Sequence, residues 1–172
     1  RLHSAREGEC QFVVLGGQPG IGKSRLLEEI ENLARARKIR VLHGRFIEQD
    51  RTFPYQGFVE VLQEYFRGSE THSSAEHPDF SDLGHELIAL FPSLGEVSAL
   101  RSGSKSTVGA DGAKIDDRTF VYELIARTLT RIAAGRPLVL VLENLHAAET
   151  SVDALAYVVR RLGPTPTLVT AT

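Results

Sequence analysis

Apolar residues follow two different spacings along this chain, and stretches of the two kinds alternate. Short runs of adjacent apolar and β-branched residues are typical of buried strands, whereas an apolar residue at every third or fourth position is typical of an amphipathic helix. The strand-like runs are residues 11–15, 39–43, 138–142 and 167–170. The helix-like stretches are residues 23–37, 54–66, 83–91, 118–134 and 152–162. The pattern therefore predicts strands joined by helical connections.

The run at residues 138–142, LVLVL, is the most apolar in the chain and is typical of a central strand in a parallel sheet. Because helices connect the strands, we expect crossover connections and helices on both faces of the sheet. The sequence thus predicts an α/β protein with three α/β/α layers around a mainly parallel sheet. We interpret residues 1–172 as one core domain, with the Ser- and Gly-rich residues 101–112 as a mobile loop inside it.

Composition and charge narrow the class of protein. Of the 172 residues, 42% are apolar and 24% are charged, which is ordinary for a soluble folded domain. The net charge of -2 gives no reason to expect direct binding to nucleic acid or to a membrane. The single cysteine, Cys10, excludes a disulfide within the chain and favours the reducing cytoplasm. The chain has no methionine and stops in a strand-like run, so we expect it to be part of a longer protein.

Residues 17–24, GQPGIGKS, match the phosphate-binding loop G-x-x-x-x-G-K-[ST] at every fixed position. Its glycines let the backbone curl so that successive N–H groups face phosphate oxygens. Lys23 would reach the β and γ phosphates, and the Ser24 hydroxyl would bind Mg²⁺. A chance Gly-rich turn is the alternative, but the preceding strand and the following amphipathic helix favour the phosphate site. The predicted nucleotide contacts are Gly17, Gln18, Pro19, Gly20, Ile21, Gly22, Lys23, Ser24 and Arg25.

An acidic residue at the end of a buried strand is expected to complete the metal site. Glu143 follows the run at 138–142, and its carboxylate can hold Mg²⁺ through the water shell of the ion. The alternative is a carboxylate that merely ends a strand at the surface. The phosphate loop elsewhere in the chain favours the metal site.

These motifs resemble the ATPase domain of the STAND class, signal-transduction ATPases related to AAA-type P-loop proteins. The similarity is to the subgroup found in bacterial regulators beside Ser/Thr kinase or adenylyl cyclase domains. It rests on GGQPGIGKSRLLEEI at 16–30, VLHGRF at 41–46, PYQGFVEVL at 54–62 and GRPLVLVLENLHAAETSVDAL at 135–155.

The resemblance implies a P-loop NTPase fold in which the last strand separates the phosphate-loop strand from the acidic strand. It implies ATP or ADP and Mg²⁺ as ligands, with Glu143 in the metal shell. It also implies an effector domain in the same parent chain, a kinase or a cyclase, and leaves homo-oligomerisation open. Family members continue into an arginine-bearing sensor, a further strand and a helical lid, so we expect the chain to stop before those parts.

Asn144 departs from the family pattern, because a second acid usually follows the first and orients the attacking water. An amide cannot accept that proton, although it can position water. Hydrolysis is therefore expected to be slow. His146 has two interpretations, a sensor of the γ-phosphate or a loop histidine that bonds to backbone.

Other polar residues have plainer interpretations. Arg160 and Arg161 are either a charge-stabilising finger toward a neighbouring subunit or, more simply, solvated cations at a helix end. The ligand spacings of His72, His77 and His85 with Asp79 and Asp82 match no standard metal site. We expect Cys10 to be a small buried apolar residue.

Two functions remain after these observations. The first is a nucleotide-operated signalling switch that binds Mg²⁺ and ATP and hydrolyses ATP slowly. The second is a non-hydrolysing nucleotide-binding or oligomerisation module that regulates a neighbouring effector domain. A GTPase is disfavoured because the chain contains no Asn-Lys-x-Asp motif.

Overall fold

A parallel sheet of four strands organises the protein. The computed structural model describes residues 8–47, 55–70, 78–97, 100, 118–147 and 151–172. The strands are β1 (Gln11–Val14), β2 (Arg40–Arg45), β3 (Leu138–Glu143) and β4 (Thr167–Ala171). The helices are α1 (Lys23–Ala36), α2 (Gln56–Glu70), α3 (Gly84–Leu90), α4 (Arg118–Gly135) and α5 (Val152–Arg161), with short 3₁₀ turns at Pro92–Leu94 and Leu145–Ala147. The predicted α/β fold is confirmed, and each predicted strand and helix has a counterpart at the expected place.

The strand order is β1-β4-β3-β2, and every neighbouring pair is parallel. The strand before the phosphate loop is thus separated from the acidic strand by β4, as the resemblance implied. Hydrogen bonds from Leu15 N to Ala171 O at 2.7 Å and from Leu145 N to Thr172 O at 2.6 Å extend the pairing past the strand ends. The carboxyl ends of β1 and β3 therefore lie at one edge of the sheet, about 10 Å apart, since strands are spaced by about 4.8 Å.

The alternation of side chains along β3 explains why the whole run is apolar. Val139 and Val141 point to the face covered by α1, where they pack with Leu27 and Ala34. The intervening leucines point to the other face and join the larger core cluster with residues of α2, α4 and α5. All of residues 138–142 are buried because helices cover both faces of the strand.

Helix α2 lies very close to the edge strand β2. A Cβ atom at Gly44 would stand 1.9 Å from the carbonyl oxygen of Gly57, and one at Gly57 would stand 2.8 Å from Cε1 of Phe46. Neither position has room for a side chain unless the helix moves. The two glycines thus bring α2 within reach of the unpaired backbone edge of β2.

No described helix is long and apolar enough to cross a membrane. Residues 101–112, for which a mobile loop was predicted, lie outside the described residues, as do Pro54, His72 and His77.

Candidate nucleotide-binding site

The phosphate-loop sequence connects β1 to α1 at the carboxyl edge of the sheet. Gly20 and Gly22 have φ of 82° and 101°, in the left-handed region where residues with a Cβ are strained. Space alone would admit a side chain at either position, because a Cβ there meets nothing within 4 Å. The left-handed backbone, rather than a lack of space, therefore requires glycine at these two positions, as expected from the motif.

Lys23 is the first residue of α1, and its side chain reaches back to the first residues of the loop. Its Nζ atom donates hydrogen bonds to the carbonyl oxygens of Gly17 at 2.8 Å and Gln18 at 3.1 Å. The ammonium group therefore lies at the loop and is held by weak acceptors that a phosphate oxygen can replace. A charge-assisted bond to phosphate is stronger than a bond to a neutral carbonyl.

The amino end of α1 is open to an anionic ligand. Gly22 is the N-cap, and no side chain caps the helix or places a carboxylate in its first turn. The first backbone N–H groups of a helix have no partner within the helix and carry a partial positive charge. Ser24 and Arg25 are exposed at this end. Left-handed glycines, an uncapped helix end and a lysine together fit the phosphates of a nucleotide.

Glu143 is the last residue of β3, and its side chain is one-third exposed. Its Oε2 atom accepts a hydrogen bond from Nη2 of Arg45 at 3.1 Å. The two residues are partners in the register of β2 and β3. Carboxylate and hydroxyl oxygens are the ligands that Mg²⁺ prefers, so Glu143 and Ser24 are chemically suited to hold it from two elements at one sheet edge.

Asn144 has a φ of 59°, so the chain turns sharply where the acidic strand ends. Asn tolerates this left-handed conformation better than most residues with a side chain. Its carbonyl oxygen accepts a bond from Ala147 N at 2.8 Å, which closes the 3₁₀ turn that carries His146. His146 is exposed, and its ring makes no hydrogen bond with the described residues. Both interpretations of His146, a sensor of the γ-phosphate and a loop histidine that bonds to backbone, therefore stay predictions.

The remaining sequence candidates lie away from this edge. Arg160 and Arg161 end α5 near the opposite edge of the sheet, and Arg161 pairs with Glu123 of α4. The hydrogen bond from Arg161 holds the pKa of Glu123 below its usual value. Asp82 pairs with Arg131, and no group of metal-ligating residues occurs among the described residues. Cys10 is partly buried against the core, and burial raises the pKa of its thiol to about 11.

A polar cluster on β2 was not found from the sequence. His43 contacts Oε1 of Glu31 on α1 through Nε2 at 2.9 Å, and Oε2 of Glu64 on α2 through Nδ1 at 3.3 Å. The Glu64 carboxylate also accepts the backbone N–H of His43, and Glu60 accepts that of Arg45 at 2.8 Å. Two carboxylates one helical turn apart on α2 thus cover the edge of β2, where unpaired N–H groups would otherwise invite pairing with another strand.

The charge of His43 follows from these contacts. The hydrogen bond with Glu64 raises the pKa of His43 to about 9, a second bond with Glu31 adds to this, and burial opposes both. Burial by itself would raise the pKa of Glu64, but the bonds from His43 outweigh it and keep that pKa below its usual value. His43 is therefore a cation at neutral pH that links α1, β2 and α2.

Comparison with known families gives one match over nearly the whole chain. The family described as AAA ATPase domain matches residues 1–170. A search of curated proteins finds no match. The chain belongs to the AAA ATPase domain family, which supports a P-loop ATPase fold and nucleotide binding.

Proposed function

We propose that this AAA ATPase domain binds Mg²⁺ and ATP and acts as a nucleotide-operated signalling switch with slow hydrolysis. The observation that carries the proposal is the curled loop between β1 and α1, with left-handed Gly20 and Gly22 and with Lys23 reaching back across it. In this geometry the cation of Lys23 lies at the loop, next to the uncapped amino end of α1. A polyphosphate is the ligand that best uses such a site.

Each residue has a role in this proposal. The backbone of residues 17–24 binds the phosphates, and Lys23 exchanges its carbonyl partners for β- and γ-phosphate oxygens. The Ser24 hydroxyl and the Glu143 carboxylate hold Mg²⁺, the latter through water. When bound, the ion neutralises charge on the phosphates. Gln18, Pro19, Ile21 and Arg25 shape the rim of the loop.

Slow hydrolysis follows from Asn144. Asn144 stands where the family usually has a second acid, and its amide can position a water molecule. It cannot accept a proton, and a positioned general base contributes about 10²- to 10⁴-fold to a rate. His146 on the next turn is exposed and is a second candidate for contact with the terminal phosphate.

Asn144 also favours the second function, a non-hydrolysing nucleotide-binding or oligomerisation module. In that case ATP or ADP is a structural ligand, and the nucleotide state controls a neighbouring domain by binding alone. In both functions we propose that residues 1–172 are the ATPase core of a longer cytoplasmic protein with a kinase or cyclase effector.

Turnover of Asn144→Asp against the parent separates the two functions. Aspartate also tolerates left-handed backbone, so the turn should persist. A gain of about 10²-fold or more in Mg²⁺-dependent ATP hydrolysis, within the range of an added base, supports a hydrolytic switch. Unchanged turnover in a variant that still binds ATP supports the binding module. Lys23→Ala in both backgrounds corrects for contaminating ATPases.

A further inference from the structure

A concave groove lies between α4 and α5, away from the phosphate loop. Its volume is about 380 Å³, within the range of pockets that hold small ligands. Because α4 and α5 end just before β3 and β4 begin, the groove lies toward the amino edge of the sheet, opposite the nucleotide site. The described residues that line it are Ala126, Arg127, Thr130, Arg131, Ala134 and Arg161. Three of these residues are arginines, and none is acidic.

The spacing of the arginines brings their guanidinium groups to one place. Arg127 and Arg131 are four residues apart on α4, so their side chains leave the same face of the helix. Arg161, the last residue of α5, lines the same groove from the second helix. Ala126 and Ala134 add little bulk, which leaves space between the arginines.

Two carboxylates outside the lining hold these arginines to different degrees. Asp82, just before α3, makes a two-pronged pair with Arg131, and Glu123 makes one with Arg161. Nη2 of Arg127 is 3.7 Å from Oδ2 of Asp82, which is too far for a hydrogen bond. Arg127 makes no hydrogen bond with any other described residue, and its side chain is 52% exposed. Its donors are therefore available to a ligand.

Pairing with these carboxylates leaves the groove positively charged. Hydrogen bonds from two of the arginines keep the pKa of Asp82 and of Glu123 below the usual values, so both are ionised at neutral pH. A third carboxylate nearby, that of Asp79, accepts bonds from N and Oγ of Ser81 at 2.8 and 2.9 Å instead. Among the described residues, three guanidinium groups are thus paired with two carboxylates.

The chemistry of the groove favours a phosphate monoester as its ligand. The planar donors of arginine match phosphate oxygens, and a phosphate ester at neutral pH offers nearly two charges and three acceptor oxygens. The existing ion pairs are partly solvated and contribute at most about 1 kcal/mol each, so such an anion can compete with them. Thr130, which is partly buried in the groove, can add a hydroxyl donor. The volume exceeds that of one phosphate group and leaves room for the chain that carries it.

We propose that the groove between α4 and α5 binds a phosphorylated side chain of a protein partner. Arg127 and Arg161 bond to the phosphate oxygens from the two helices, and Arg131 and Thr130 complete the site between them. The two alanines leave space for the backbone of the partner. This site is separate from the phosphate loop, and its occupation does not require a bound nucleotide.

The test is an NMR titration of the ¹⁵N-labelled protein, which measures weak binding and also locates it. The probe is a short blocked peptide in which one phosphoserine is flanked by alanines. We expect saturable shifts of the amides of α4 and α5, with a Kd below about 1 mM. The same peptide with serine should not bind, and inorganic phosphate should bind more weakly because it lacks the chain. Equal binding of the serine peptide, or inorganic phosphate binding as tightly as the phosphopeptide, would overturn the proposal.

Variants in the groove and at the loop separate the two phosphate sites. Arg127→Gln and Arg161→Gln should each weaken phosphopeptide binding about tenfold or more, the size of one charge-assisted bond. Arg35→Gln is the matched control, because Arg35 is 57% exposed and ion-paired with Glu31 on α1. Lys23→Ala should bind the phosphopeptide as the parent does.

Two results with these variants would contradict the groove as the site. Unchanged affinity in both arginine variants would overturn the proposal, and loss of binding in Lys23→Ala alone would assign the phosphopeptide to the phosphate loop. Melting temperatures show whether each variant is folded. If Arg161→Gln does not fold, because its bonds to Glu123 are lost, Arg127→Gln still decides the question, since Arg127 makes no hydrogen bond with the described residues.

Discussion

The contacts of His43 with the glutamates of α1 and α2 predict that the stability of the protein depends on pH. A single substitution at His43 should remove this dependence. His43 lies between Glu31 and Glu64, and its pKa is raised to about 9 from 6.5. The folded protein therefore holds the proton more tightly than the unfolded chain does. The stabilisation is complete below about pH 6.5, falls as pH rises from there toward 9, and is absent above that range.

The magnitude follows from the two pKa values. A pKa difference of about 2.5 corresponds to about 3.4 kcal/mol at 1.36 kcal/mol per pKa unit, which is an upper limit. The side chain of His43 is one-third exposed, and that of Glu64 is more so, so solvent screens the pair. We therefore expect a loss of about 1 to 2 kcal/mol in the free energy of unfolding between about pH 6.5 and pH 9.5.

The assay is urea unfolding of the parent and of His43→Gln across this pH range. Glutamine keeps one hydrogen bond but no charge, so the variant should be less stable at pH 6.5 and should converge on the parent at high pH. Groups such as Cys10, whose pKa is raised to about 11, affect both proteins equally and cancel in the difference. His85→Gln, at an exposed position of α3, is the control. A constant difference between parent and His43→Gln at all pH values would refute this reasoning.

Two further predictions concern packing and reactivity. Gly44→Ala should lower the free energy of unfolding, measured with urea, by about 3 kcal/mol or more, because its Cβ would overlap the backbone of Gly57. The control is Gly68→Ala, where a Cβ meets nothing within 4 Å. Equal stability of the two variants would contradict the close packing of α2 on β2. Cys10 should react with iodoacetamide at least about tenfold more slowly in the folded protein than in urea, because burial disfavours the thiolate. Equal rates would mean that the thiol is not buried as described.

Local chemistry explains what could be predicted from the sequence. The periodicity of the apolar residues predicts the helices and strands. The run at 138–142 also predicts a central strand, because a strand that is apolar at every position has to be covered on both faces. The phosphate loop could be predicted because Gly20 and Gly22 are needed for left-handed backbone within a few residues. Both features depend on residues that are close together in the sequence.

The contacts that the sequence did not reveal depend on residues far apart in the chain. Arg45 and Glu143 meet only because β2 pairs with β3 in one register, and a shift by one residue would separate them. The edge position of β2 likewise decides that Glu60 and Glu64 bond to backbone N–H groups rather than to solvent. The local sequence pattern around those residues predicts neither the strand order nor the register.

Binding of Mg·ATP at the loop is the central claim, and calorimetric titration with ATP, ADP and GTP tests it most directly. The parent and Lys23→Ala are compared with and without Mg²⁺, and Arg37→Ala, which removes a cation at the other end of α1, is the control. The account predicts Mg²⁺-dependent binding of adenine nucleotides that is unchanged in Arg37→Ala and at least about tenfold weaker in Lys23→Ala, as expected for loss of charge-assisted bonds to phosphate. Equal affinity in Lys23→Ala and the parent would contradict it.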